Sequence, residues 1–319
     1  MVEYYVFELS SSIHHAMASA LWTKACGQGL ALSPRAIEYN TRPGPGVQQA
    51  GRFAFVGNDP VGFILASALE KDMNVLPNEG GGWIDALVVA PELQRRGTGQ
   101  ALLAWAEDWL RERECASARL GASLRWFAPG VPIELDNGFF QTRGYIPREN
   151  GSEEWDLGRD LQEYTSPSFI RTSGITMRPA RVEDIEPLRD FLAREFPGRW
   201  RYQFEQHLYD GGDISEFILL ESERGVDACC QVTFEESVRR AERFYPSPLP
   251  HPWGQVGSIG VSADRRGAGY GSALLDASLH HLRERGVRGC IIDWTDLISY
   301  YERFGFVRHR AYRMLSKQL

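Results

Sequence analysis

The sequence lacks several patterns that would assign it at once to a functional class. Its five cysteines include no C-x-x-C pair and no zinc-finger spacing, so no metal site is indicated. Adjacent Cys229 and Cys230 lie in a strand-like run, which predicts buried thiols that face opposite sides of a sheet. No apolar run is long enough to span a membrane, and the N-terminus does not resemble a secretory signal. These absences favour a cytoplasmic protein with no membrane partner.

Excess positive charge is also missing. The 35 lysines and arginines are outnumbered by 42 acidic residues, which gives a formal net charge of −7. General nucleic-acid binders carry basic stripes that neutralise phosphates, so the sequence predicts no nucleic-acid partner. The acidic balance mildly favours a cationic acceptor molecule through electrostatic steering. A length of 319 residues with 43% hydrophobic residues predicts two globular domains.

Two stretches of the sequence share one pattern. The later stretch, residues 259–275, reads IGVSADRRGAGYGSALL, and the earlier, residues 87–103, reads LVVAPELQRRGTGQALL. In each, a β-branched run predicts a strand, a polar turn follows, and glycines open an apolar helix. The first N–H groups of a helix have no partner within it, and the helix dipole adds positive charge there. Both turns are therefore predicted to bind an anion such as a phosphate.

The spacing of the glycines discriminates among three phosphate-binding motifs. A Walker loop needs Lys-Ser/Thr after its last glycine, which neither copy has. The dinucleotide fingerprint needs a third glycine where Ser272 and Leu102 stand, although Asp293, a strand-end acid about 20 residues on, keeps this alternative open. The pattern Q/R-x-x-G-x-G/A fits both copies, as Arg266-x-x-Gly269-x-Gly271 and Gln94-x-x-Gly97-x-Gly99.

This third pattern resembles the cofactor-binding motif of the GNAT acetyltransferases. The later segment YYERFGF, residues 300–306, is similar to the F-Y-E-K-x-G-F segment of the same family, and FFQTRGY, residues 139–145, looks like a worn copy of it. Arg266 follows Gln94 by 172 residues and Tyr301 follows Phe140 by 161, so the two halves stay nearly in phase. The sequence is identified as a tandem member whose architecture is similar to that of mycothiol synthase, although no motif specifies a thiol substrate.

The resemblance implies an α/β (α+β) fold with two tandem domains. Residues 1–165 would form the first domain and residues 169–319 the second, each with a mixed, largely antiparallel sheet flanked by helices. Each sheet would open into a V-shaped cleft for acetyl-CoA or another acyl-CoA, and the strand before the glycine turn would be bulged. The residues assigned to cofactor binding are Ile259, Gly260, Val261, Arg266, Gly267, Ala268, Gly269, Tyr270, Gly271 and Ser272 in the second domain, and Gln94, Arg96, Gly97, Thr98 and Gly99 in the first.

The resemblance also assigns the catalytic groups. Tyr301 occupies the position of the family's general acid, a phenol that protonates the departing thiolate, whereas Phe140 stands there in the first half. The second domain is therefore expected to be catalytic and the first degenerate, although the first retains a turn that could hold CoA. A base is common four residues before the last valine of the strand, which is Asp85 in the first half but Gly257 in the second. The candidate substitutes for that base are Glu235, Glu236 and Asp293, and Trp294-Thr295 replaces a frequent asparagine.

The function expected from these residues is acetyl-CoA-dependent N-acetylation of a small-molecule amine by direct attack on the thioester. The protein would act as a monomer or a homodimer. Two alternatives remain. A catalytically inactive, CoA-binding pseudo-acetyltransferase is favoured by the missing base. A protein-interaction module would instead expose a contiguous apolar patch.

Overall fold

The computed structural model describes residues 1–42, 44–70, 80–148, 153–170 and 176–319. Its elements follow the chain from β1 to β15 and from α1 to α7. The strands are β1 (Val2–Val6), β2 (Val47–Val56), β3 (Asp59–Leu69), β4 (Gly81–Val89), β5 (Ser117–Leu120), β6 (Val131–Pro132), β7 (Ile146–Pro147), β8 (Glu153–Asp160), β9 (Thr176–Pro179), β10 (Phe217–Ser222), β11 (Gly225–Phe234), β12 (Trp253–Val261), β13 (Gly289–Thr295), β14 (Val307–Arg313) and β15 (Leu315–Gln318). The helices are α1 (Ser12–Cys26), α2 (Pro34–Thr41), α3 (Thr98–Arg111), α4 (Ile185–Glu195), α5 (Arg199–Tyr209), α6 (Tyr270–Glu284) and α7 (Ile298–Glu302).

The chain forms two compact units. The first consists of residues 1–154 and 311–319, and the second of residues 155–310. The first contains a sheet of order β1-β2-β3-β4-β5-β15-β7, in which β4 and β5 pair in parallel and the other registers are antiparallel. The second contains the order β14-β8-β13-β12-β11-β10-β9, with β12 and β13 parallel. The mixed, largely antiparallel α/β fold expected from the sequence is confirmed.

The bounds of the units differ from the predicted domains 1–165 and 169–319 because two strands pair outside the domain predicted for them. β8 pairs in the sheet of the second unit, and β15 pairs in the sheet of the first. β8 lies within the predicted first domain, yet it pairs with β13, from Gly289 opposite Asp160 to Ile292 opposite Leu157. β15, at the end of the chain, pairs with β5 and β7 of the first unit. Sheet pairing is non-local, so motif spacing did not reveal this exchange.

Two apolar clusters pack in the second unit. Cys230, which is 0% exposed, lies in a cluster with Leu274 and Leu275 of α6. Its neighbour Cys229, 2% exposed, lies in a separate cluster with Leu188 of α4. Alternation along β11 therefore sends adjacent thiols to opposite faces, as the sequence predicts.

A buried acid in the second unit makes the stability of the fold depend on pH. Burial raises the pKa of Glu216 from 4.5 to about 7. Between these values the folded chain holds a proton that the unfolded chain has released, so stability falls as pH rises through this window and the loss is complete above about pH 7. The shift corresponds to about 3 kcal/mol.

We expect Glu216→Gln to be more stable than the parent chain at pH 8 and nearly equal to it at pH 4. Its amide oxygen can still accept the hydrogen bond that Ser237 Oγ donates to Glu216 Oε1 at 2.7 Å. Urea unfolding at both pH values measures the difference, with the exposed Glu183→Gln as a control. An equal gain at both pH values would contradict the assignment.

Candidate active site

The two strands that carry the site of the second unit run together and then part. β12 pairs with β13 from Trp253 opposite Gly289 to Val256 opposite Ile292, and no described pair joins residues 257–261 to β13. The reason is a bulge, since Gly257 and Gly260 of β12 span only Gln231 to Cys229 of β11. Ser258, within the bulge, has φ +51°. The strand before the glycine turn is thus bulged and splayed, as the resemblance implies.

The glycine turn leads directly into α6. Gly267 and Gly269 have φ of +81° and +88°, a region that favours glycine, and Gly269 caps the helix. The bond from Ala273 N to Gly269 O opens the helix, which leaves the N–H groups of residues 270–272 ahead of the helical ladder. Residues 266–269 are exposed. The turn therefore presents main-chain donors to solvent at the positive end of a helix, the geometry that holds a phosphate.

In each unit, the side chain of the Q/R residue of the motif donates a hydrogen bond to a main-chain carbonyl. Arg266 Nε donates to Val261 O at 3.2 Å, and Gln94 Nε2 donates to Val89 O at 3.0 Å. Both bonds tie the turn back to the last residue of the preceding strand. This residue therefore sets the shape of the turn, in addition to any contact that it makes with a phosphate.

The turn of the first unit repeats this geometry. Gly97 has φ +90° and caps α3, while Arg95, with φ +60°, holds the left-handed position that Gly267 holds in the second unit. A Cβ on Gly99 would lie 3.4 Å from the ring of Phe139. The matching Gly271 would place its Cβ 3.7 Å from Tyr300 Oη. The 172-residue offset seen in the sequence therefore holds in the structure.

The paired tyrosines of α7 have different surroundings. Tyr300 Oη accepts from Ser272 Oγ at 3.4 Å, beside the start of α6. Tyr301 is 7% exposed, and burial, followed by the charges of Tyr300 and Asp293, raises its pKa well above the usual range. Its phenol is therefore protonated at neutral pH, as a general acid must be. Phe140, at this position in the first unit, makes edge-to-face ring contacts with Phe139 and Tyr145 and has no proton to give.

A carboxylate fills the position that Gly257 leaves empty. A Cβ built on Gly257 would lie 3.1 Å from Asp293 Oδ1, so Asp293 reaches from β13 into the space that a side chain at 257 would enter. Gln255 Nε2 donates to that same oxygen at 2.5 Å. Burial raises the pKa of Asp293, against the opposing effects of Arg239 and Gln255. A carboxyl with a raised pKa at the point where two strands part is suited to accept a proton.

The other substitutes for the base lie elsewhere. Glu235 Oε1 accepts from Trp253 N at 2.8 Å, at the opposite end of β12 from the splayed segment. Glu236 is exposed, with an oxygen 3.5 Å from Arg285. Trp294, which stands with Thr295 in place of the frequent asparagine, has φ +47° and donates its main-chain N–H to Asp156 Oδ1 at 2.9 Å. Of the three candidates, Asp293 is the one beside Gly257.

The acid lies on different strands in the two units. In the first it is on the strand before the glycine turn, and in the second it is on the parallel strand next to that one. Asp85 of β4 and Gly121, after β5, are followed 172 residues later by Gly257 and Asp293. The first unit could not carry an acid at 121, because a Cβ there would lie 2.4 Å from Ala128 O. The offset alone shows an acid at 293 where the first half has Gly121, but only the structure shows that this acid lies beside Gly257.

The family of this chain follows from comparison with known proteins. The model of the acetyltransferase (GNAT) family matches residues 20–124 and 185–306, which include both glycine turns. The chain belongs to the GNAT acetyltransferase family. It is therefore an acyltransferase of tandem architecture.

Curated relatives extend the match over most of the chain. A mycothiol acetyltransferase of Geodermatophilus obscurus is 41% identical over 273 residues, which cover 79% of this chain and 80% of the relative. A second, from Thermomonospora curvata, is 28% identical over 237 residues, 72% of each chain.

Solved structures share the fold. The chain resembles the GCN5-related glucosamine N-acetyltransferase region of a fungal multi-domain β-N-acetylglucosaminidase, with a TM-score of 0.85 and 24% identity over 99% of this chain and 38% of that one. A tandem GNAT protein of the clavulanic acid pathway gives a TM-score of 0.72 at 15% identity, over 100% of this chain and 98% of the other.

Among the residues that the structure describes, no helix is both long and apolar enough to cross a membrane.

Proposed function

We propose that the second unit transfers the acetyl group of acetyl-CoA to the amine of a small molecule. The observation that carries this proposal is the carboxylate of Asp293 beside Gly257, where the strands part, within electrostatic reach of Tyr301. The sequence left the base position empty, and this carboxylate fills it. The pseudo-acetyltransferase alternative was favoured by the absence of a base, and Asp293 removes that argument.

The residues of the second unit fit the cofactor. The N–H groups of residues 270–272 and the exposed turn before them would hold the pyrophosphate. The splayed residues 257–261 would pair with the pantetheine arm. When bound, acetyl-CoA supplies a thioester carbonyl that an amine can attack, and main-chain N–H groups at the bulge could polarise that carbonyl.

Two residues accept and donate the protons that the acetyl transfer requires. Asp293 accepts a proton from the amine, directly or through one water, as nitrogen forms its bond to the carbonyl carbon. The carbon–sulfur bond then breaks, and Tyr301 gives its phenolic proton to the departing thiolate. Solvent returns the proton from Asp293 to Tyr301, so the pair is restored after each turnover.

The acceptor class rests on the curated relatives. They are named mycothiol acetyltransferases and match the greater part of this chain. This supports a small-molecule amine, and deacetylated mycothiol is the first acceptor to assay, beside a polyamine and an aminoglycoside. In the acyl transfer itself, the first unit, with Phe140 in place of the acid, would at most hold CoA.

Bulky substitutions in the glycine turns test which unit binds the working cofactor. A tryptophan at Gly271, in the first turn of α6, would start beside Val261 and Tyr300, and one at Gly97 would start at the N-cap of α3. We expect Gly271→Trp to abolish both acetyl-CoA binding at the second unit and thiol release in the presence of acceptor. We expect Gly97→Trp to leave turnover within about twofold of the parent, since it changes no residue of the site in the second unit.

Calorimetric titration of acetyl-CoA and a thiol-release assay measure the two effects. Because Gly97 has φ +90°, its substitution also strains the backbone, so Gly97→Asn, which tolerates that region better, serves as its control. Thermal unfolding confirms that each variant is folded. If the intact chain fails to bind acetyl-CoA, or if Gly97→Trp alone stops turnover, the assignment to the second unit is wrong.

A further inference from the structure

The first unit contains a cavity of about 350 Å³ that none of the residues assigned to acyl transfer lines. We propose that this cavity binds a small hydroxylated organic anion of monosaccharide size, such as a sugar phosphate or a sugar acid. The proposal does not depend on acyl transfer in the second unit. It rests on the polar and charged groups that line the cavity.

One wall is a row of cross-strand neighbours. Gln49 of β2 lies opposite Ser67 of β3, and Ser67 lies opposite Trp83 of β4, so the three share one face of the sheet. All three line the cavity, and so does Trp109 of α3. Amide and hydroxyl groups next to indole rings suit a ligand that has both hydroxyl groups and an apolar ring face.

Asp85 holds two polar side chains of this wall through hydrogen bonds. It lies in a bulge of β4, between the pairs Leu65 with Ala86 and Ala66 with Ile84, and is 4% exposed. Its two carboxylate oxygens accept from Gln49 Nε2 and Ser67 Oγ, both at 2.8 Å. Asp85 therefore acts in this unit as a positioning residue, which preorganises two side chains that face the cavity.

A buried carboxamide in the cavity lacks partners. Asn40, at the end of α2, is 0% exposed, and neither its Nδ2 nor its Oδ1 has a hydrogen-bond partner among the described residues. Buried polar atoms are seldom left unpaired, because each pays the cost of leaving water. After a small shift of the side chains that cover it, Asn40 can donate from Nδ2 to one ligand hydroxyl and accept at Oδ1 from a second. This carboxamide is the reason to infer a hydroxylated ligand.

The charge of the lining selects an anion. Arg42, Arg113 and Arg125 line the cavity, and no aspartate or glutamate among the described residues does, although Arg42 and Arg113 each have a glutamate outside the lining nearby, Glu38 at 3.9 Å and Glu112 at 3.8 Å. Arg113 is held in place, because it stacks on the ring of Trp109 at 3.7 Å and donates from Nε to Gln48 Oε1 at 2.8 Å. Guanidinium groups bind phosphate and carboxylate through paired hydrogen bonds. The hydroxylated ligand should therefore carry one such group.

Titration of glucose 6-phosphate and glucuronate into the full chain tests the proposal, with glucose and inorganic phosphate as comparators. We expect at least one of the two sugar anions to bind roughly tenfold or more tightly than either comparator, because each comparator lacks half of the required contacts. Binding should persist in Gly271→Trp, which separates this result from the fate of the acyltransferase proposal. Equal binding of phosphate alone, or no binding of either sugar anion, would overturn the proposal.

Two variants locate the binding in the cavity. Asn40→Leu should abolish it without lowering the unfolding temperature, since the variant removes two unpaired buried polar atoms. Arg113→Met should weaken binding roughly tenfold, because it removes a charge-assisted contact, whereas Arg111→Met at the last residue of α3, which pairs with Asp108 at 2.6 Å and does not line the cavity, should not. Retained affinity in both Asn40→Leu and Arg113→Met would place the ligand elsewhere and contradict the assignment.

Discussion

Replacing Tyr301 by phenylalanine is expected to lower kcat by a factor of roughly 10² to 10⁴, the usual contribution of a positioned general acid. The phenol is buried and keeps its proton at neutral pH, so it can protonate the thiolate as the carbon–sulfur bond breaks. The ring fills the same space without the hydroxyl, so cofactor affinity should change little. Thiol release at saturating acetyl-CoA, together with calorimetric binding, measures both quantities.

Tyr300→Phe is the matched control for this variant. It removes the same atom from the neighbouring residue, whose hydroxyl lies 3.4 Å from Ser272 Oγ at the start of α6. We expect this change to alter cofactor affinity modestly and kcat by less than about tenfold, since only one neutral hydrogen bond is lost. A larger loss of kcat in Tyr300→Phe than in Tyr301→Phe would mean that the acid is Tyr300.

Removing the carboxylate of Asp293 should have the next largest effect. Asp293→Asn keeps the shape of the side chain but cannot accept a proton, so kcat/KM should fall by roughly 10² or more at neutral pH. In the parent chain, burial raises the pKa of this carboxyl, and only the ionised form acts as a base. Activity should therefore decline as pH falls through that raised pKa, and Asp293→Asn should lose this acidic limb.

Glu235→Gln removes the same charge from an acid at the far end of β12 and should leave the pH profile in place. A sharper test moves the acid between strands. In the variant Gly257→Asp with Asp293→Gly, the acid takes the position that Asp85 has in the first unit. Gln255 must shift to admit it, because its Nε2 lies 2.2 Å from the new Cβ. Partial recovery relative to Asp293→Gly alone is expected, whereas full activity in Asp293→Asn would remove the base from the mechanism.

The sequence by itself determined the fold and the candidate cofactor turns. Strand, glycine turn and helix are encoded within 17 consecutive residues, and two copies at one offset indicate a tandem repeat. Tyr301 and Phe140 could be compared in the same way, because each lies in a short segment of matching pattern. Such features are local, so composition and spacing suffice to find them.

Only the tertiary structure decided which side chains meet. The acid beside Gly257 comes from β13, 36 residues later in the chain, and reaches its place through parallel pairing, a bulge and a splay. The exchange of β8 and β15 between the units likewise depends on long-range strand pairing. That the carboxamide of Asn40 has no hydrogen-bond partner among the described residues became visible only when its surroundings were in place. Contacts of this kind depend on register between distant strands, which short-range pattern does not encode.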